Sequence, residues 1–179
     1  MADRADSSTW VNRAIFVMVA FVIIVVALVP IDMRPSAVAM PNLLLAVTMV
    51  WVARQPSYAP VITIAALFLM ADFLFMRPPG LWAALVVILT ETIRSQHRDF
   101  RNMPLLVEWG SIAVGIVAIT LANRIILAIS MSPQAPLGLT LLEMIATIAV
   151  YPVVVIIAHF LFGVTRTAPG EVGKKGHLL

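Results

Sequence analysis

Residues 12–29 read NRAIFVMVAFVIIVVALV, and residues 105–130 read LLVEWGSIAVGIVAITLANRIILAIS. A helix needs about 20 mostly apolar residues to cross the hydrocarbon core of a bilayer. Both stretches meet that length, and both are apolar on every side. A barrel strand would instead alternate apolar and polar residues. Four more apolar runs follow the same pattern, at about 36–52, 58–76, 81–93 and 139–164. Pro and Gly punctuate their boundaries, as in Arg54-Gln55-Pro56 and Arg77-Pro78-Pro79-Gly80. The expected fold class is an all-α membrane protein with six transmembrane helices.

Composition agrees. The 179 residues are 61% hydrophobic and 12% charged, with a mean hydropathy of +1.01. Soluble domains carry roughly 45–50% apolar and about 25% charged residues, so the surplus apolar surface faces lipid. A soluble nucleotide- or nucleic-acid-binding enzyme is excluded, and no nucleic-acid partner is expected. Without Cys there is no thiolate metal site and no Cys nucleophile. His97, His159 and His177 lie far apart, and no phosphate-cradling glycine motif occurs. No catalytic, metal or cofactor site is expected.

Lys and Arg set the orientation. Six crossings put Arg4, Arg13, Arg54, Arg94, Arg98, Arg101, Arg166, Lys174 and Lys175 on one side, and Arg34, Arg77 and Arg124 on the other. Nine against three places both termini in the cytoplasm. The expected organisation is a cytoplasmic N-terminal tail at 1–11, a six-helix domain at 12–164 and a flexible cytoplasmic C-terminal tail at 165–179. Ala37-Val38-Ala39 imitates a signal-peptidase site, but the apolar run before it exceeds the usual 7–15 residues. An uncleaved first helix is expected.

Ionisable residues inside apolar spans are expensive and are placed for a reason. Asp72, flanked by Met70, Ala71, Phe73 and Leu74, reads as a structural acid paired with Arg77, Arg124 or backbone groups. Its functional alternative is binding a ligand, a proton or a partner. Glu91 and Arg94 have the i,i+3 spacing of a helix-surface ion pair. Glu143 is expected in the first turn of the last helix, where an acid favours the helix dipole. His159 reads as hydrogen-bonded packing. Trp10, Trp51, Trp82 and Trp109 fall near segment ends and read as an aromatic belt. Ser111 and Gly115 form a small-xxx-small pair suited to close helix packing. Pro152 predicts a kink in the last helix, and Pro41 a non-helical first turn in the second. The basic stretch with Arg94, Arg98 and Arg101 is expected to meet anionic lipid headgroups or an acidic cytoplasmic partner.

Pro41-Asn42-Leu43-Leu44-Leu45, followed by Trp51, resembles the Arg-Pro-Asn/Asp–hydrophobic–Trp stretch of the MreD family, the rod shape-determining membrane proteins. Ala71-Asp72-Phe73-Leu74 and Arg77-Pro78-Pro79-Gly80-Leu81-Trp82 stand where that family has a Gly-x-x-x-Asp element and a Pro-Leu-Gly-like turn. Two positions depart from the pattern: Phe68 replaces the small residue, and the turn reads Pro-Pro-Gly. The resemblance covers about residues 12–164. It implies a non-enzymatic scaffold in the bacterial inner membrane that binds MreC directly. MreB, RodA and a class B penicillin-binding protein would stand in the same complex. It also implies a helical fold similar to the substrate-binding subunit of energy-coupling-factor transporters. Pro41, Asn42, Asp72 and Gly80 carry over as motif positions with structural or partner-docking roles. Two rival readings are a vitamin-transporter substrate-binding subunit, with Asp72, Asn42 and Trp82 lining a pocket, and a small intramembrane enzyme.

Overall fold

The computed structural model describes residues 2–29, 40–96 and 104–162, with side chains from Thr9 onward. Among the described residues it contains six α-helices and no strand. They are α1 (Ala2–Leu28), α2 (Leu43–Arg54), α3 (Val61–Leu74), α4 (Leu81–Ser95), α5 (Leu105–Ile129) and α6 (Leu137–Phe162), with one 3₁₀ turn at Pro56–Tyr58.

Three helices are long and apolar enough to cross a membrane: α1 over Thr9–Leu28, α5, and α6 over Leu137–Leu161. Each buries only a narrow stripe. In α1 it is Phe16, Ala20 and Ile24, one residue per turn. In α5 it is Glu108, Ile112, Ile116, Ile119 and Thr120. Many of their other apolar side chains are exposed, Phe160 at 80% and Ile129 at 77% among them. Exposed apolar surface on this scale is what a lipid solvent accommodates and water does not.

The short helices follow another rule. α2 has 12 residues, about 18 Å at 1.5 Å each. That falls short of the roughly 30 Å hydrocarbon core. Length does not limit it, because α2 is the centre of the bundle. Leu44 to Arg54 are all buried. The other helices form an arc, α1–α3–α4–α5–α6, and α2 fills its hollow against α1, α4 and α6. The 3₁₀ turn that follows α2 packs against α1 and accepts a hydrogen bond from the side chain of Arg94.

Local sequence explains where the helices stop. Pro41 and Asn42 precede α2, and Asn42 Oδ1 accepts from Leu45 N at 3.0 Å, an Asx cap at the third helical position. The second helix therefore begins later than its apolar run at about 36. Gly80 caps α4 at φ +87°, a left-handed conformation that favours glycine. α3 and α5 both end on a Met in the left-handed region, Met76 and Met131, each with φ +51°. The next residues, Arg77 and Ser132, donate back five positions to Asp72 O and Leu127 O, closing Schellman-type ends. At the other extreme α1 starts at Ala2, ahead of its apolar run: hydropathy marks where the lipid-facing stretch begins, not where the helix does.

One expectation is corrected here. Trp51 is not in an interfacial belt. It is 2% exposed in the centre of the bundle, its ring 6.0 Å from that of Phe16. Pro152 lies inside α6, which runs as one helix from Leu137 to Phe162. A proline leaves the carbonyl four residues earlier without its helical donor. That carbonyl is Ile148 O, and the indole Nε1 of Trp109 donates to it at 2.8 Å. Trp109 therefore repairs α6 from α5. Gly115 lets the Leu89 side chain of α4 pack close against α5: a Cβ there would lie 2.4 Å from Leu89 Cδ1.

Candidate functional site

Polar side chains in the bundle gather at two ends, that of Arg54 and that of Asp72. At the Arg54 end, Arg54 closes α2 and Glu108 stands in the first turn of α5. Arg54 Nε lies 3.3 Å from Glu108 Oε1, and both side chains are buried. Tyr151 OH, from α6, donates to the same oxygen at 2.7 Å. One carboxylate thus joins three helices that are 54 and 43 residues apart in sequence. Beside it, Arg94 donates from Nη1 to Pro56 O at 3.0 Å and from Nη2 to Ala59 O at 2.6 Å. Arg13 Nε donates to Ser57 O at 3.1 Å. These two arginines satisfy carbonyls of the turn that the backbone leaves open. Arg94 Nε also lies 2.8 Å from Glu91 Oε1, the i,i+3 ion pair the spacing predicts. Arg98 and Arg101 lie outside the described residues.

At the Asp72 end, the acid of α3 serves α4. Asp72 is fully buried, and its Oδ2 accepts from Gly80 N and from Ala83 N, each at 3.1 Å. Gly80 has no side chain with which to cap its own helix, so Asp72 does it from the neighbouring one. Of the partners expected from sequence, the backbone groups are the ones used. Arg77 instead lies over two rings, 5.5 Å from the centroid of Phe75 and 6.0 Å from that of Trp82. Asn42 N donates to Thr147 Oγ1 at 2.8 Å, fixing the start of α2 to α6. Arg124 Nη1 donates to Thr140 Oγ1 at 2.7 Å and to Ala135 O at 3.2 Å.

A cavity of about 260 Å³ opens at this end. Leu45 and Ile116 are among its apolar lining. Asn42, Arg77, Trp82, Thr120, Asn123, Arg124 and Glu143 line it with polar groups. Asp72 stands behind this lining. Glu143 is not in the first turn of α6, which starts six residues earlier, and it faces the cavity instead. His159 is not packed inside: it is exposed on the last turns of α6, edge-on to Phe160 at 5.3 Å.

Sequence reasoning brought Asn42, Asp72, Gly80 and Trp82 to one end, and the structure gathers them there. It passed over Arg54, Tyr151 and Thr147. Arg54 read only as a boundary charge, and Tyr151 is hidden in an apolar run. Among the described residues no three His, Asp or Glu side chains are grouped so as to hold a metal ion. In comparison with known proteins, the chain matches no family model, no curated protein and no solved structure.

Proposed function

We propose that this chain is a membrane scaffold of the MreD kind. In this reading all six helices cross the bacterial inner membrane, in an arrangement similar to the substrate-binding subunit of energy-coupling-factor transporters. The Arg54 end and both termini are cytoplasmic. The chain binds MreC directly, stands in one complex with MreB, RodA and a class B penicillin-binding protein, and performs no catalysis itself. One observation supports it most: the buried charges Asp72, Arg54 and Glu108 bond to other helices of the same chain. Groups used in this way build a rigid body to which a partner can dock.

A mild-detergent pull-down of the tagged chain from its native membranes tests the reading. Recovery of MreC and wall-synthesis proteins is expected. Recovery of ATPase subunits with a coupling membrane protein would replace the scaffold by the second reading, a transporter substrate-binding subunit. The cavity at the Asp72 end favours that alternative. Orientation has its own test: a tag inserted after Arg98 is expected to be protected in intact cells, and labelling from outside would reverse the topology.

A further inference from the structure

The cavity at the Asp72 end contains more donors than the chain uses. Arg77 and Arg124 bring two positive charges to its lining, and Glu143 brings one negative charge. The guanidinium of Arg77 rests on two aromatic rings and forms no ion pair among the described residues. Arg124 uses its Nη1 on neutral oxygens only. The indole Nε1 of Trp82 is buried and donates to nothing in the described chain. A buried donor without an acceptor costs about 1–3 kcal/mol, so a native group with this geometry calls for an acceptor from elsewhere. Asp72 does not supply it: its Oδ2 accepts at the start of α4, and its buried Oδ1 meets no donor in the described chain.

We propose that this cavity binds an anionic oxygen group, phosphate or carboxylate, with Arg77 and Arg124 as cationic grips and the Trp82 indole N–H as a further donor. Planar guanidinium groups match such oxygens in geometry and charge. At about 260 Å³ the space lies just below the roughly 300 Å³ at which drug-sized pockets begin. It suits a headgroup or a small acid rather than a whole lipid. Met76, on its lining, stands almost fully exposed. The ligand can come from the membrane or from solution, and the same oxygens serve both.

The test uses the full chain in nanodiscs containing equal parts of phosphatidylglycerol and phosphatidylcholine, followed by native mass spectrometry. Wild-type protein is expected to keep one phosphatidylglycerol in preference to phosphatidylcholine. Arg77→Gln is expected to weaken retention about tenfold, the loss of roughly one charge-assisted hydrogen bond. Arg77→Lys, which keeps the charge but not the planar fork, is expected to restore only part of it. Arg77 holds no helix end through its guanidinium, so the variant should fold, and matching size-exclusion profiles check this. Trp82→Phe, which removes only the N–H, is the second variant. A soluble source gives a different result: no retained lipid, but a higher melting temperature with sn-glycerol 3-phosphate in wild type and not in Arg77→Gln. Equal retention of phosphatidylcholine overturns the proposal. So does a response to either anion that both variants leave unchanged, or no response to any of the three probes. Each of these readouts is independent of the proteins recovered in the pull-down.

Discussion

Glu108→Ala is expected to cost about 3–5 kcal/mol of stability, the range for removing one partner of a buried ion pair. The cost comes less from lost attraction than from what remains. Arg54 is 8% exposed, and without Glu108 its charge would stay in a low-dielectric interior with no ion-pair partner among the described residues. Tyr151 OH would lose a 2.7 Å acceptor at the same time. Tyr151→Phe alone is expected to cost about 1.5–3 kcal/mol, as for a hydrogen bond to a charged group. The double variant Arg54→Leu with Glu108→Leu removes both charges together. Replacing a whole buried pair by apolar residues is often neutral, so the double variant should recover most of the loss. Chemical unfolding of the detergent-solubilised protein measures all four stabilities. If the single and double variants lose equal stability, the pair does not couple α2 to α5.

The helices were legible in the sequence to within a few residues where Pro or Gly marks their ends. The apolar run at 81–93 becomes a helix over Leu81–Ser95, and that at 105–130 one over Leu105–Ile129. The second run was read too long, because the apolar count does not register that Asn42 caps the helix after Pro41. Composition also could not separate the helices that face lipid from the one at the centre. Both kinds are apolar all round, so Trp51 looked interfacial when it is core.

What meets across the bundle was less legible. Arg54, Glu108 and Tyr151 carry no spacing signal, since their partnership depends on how α2 crosses α5 and α6. One contact could have been anticipated. A proline within a helix frees a carbonyl four residues earlier, and a nearby tryptophan is a donor that tolerates an apolar setting. Trp109 and Ile148 O are that pair. The reading of Trp109 as a belt residue missed it by treating all four tryptophans alike.

Asp72→Leu is expected to be the second most damaging single change, at about 2–4 kcal/mol. The variant leaves Gly80 N and Ala83 N without their acceptor. Leaving a buried donor unpaired costs about 1–3 kcal/mol, and losing a helix cap about 0.5–2 kcal/mol. These costs overlap, because the two N–H groups are the cap. Asp72→Asn keeps one carbonyl oxygen in place and should lose much less, about 1 kcal/mol, as for one net hydrogen bond. The ranking of Leu below Asn separates a capping role from a charge-bearing one. If charge itself were the function, both variants would fail alike. The consequence reaches the scaffold reading, because Asp72 holds α3 to the start of α4, and Trp82 follows two residues after Gly80. Loosening that junction should lower the amount of protein in the membrane and, with it, the MreC recovered per cell, while Asp72→Asn leaves both near wild type. Wild-type cell shape and complex yield in the Leu variant would remove Asp72 from any part in docking. Loss of MreC at unchanged protein level in both variants would instead make the carboxylate a direct contact. The backbone geometry argues for the first mechanism, since the one Asp72 oxygen with partners is aimed at α4 and not at the surface.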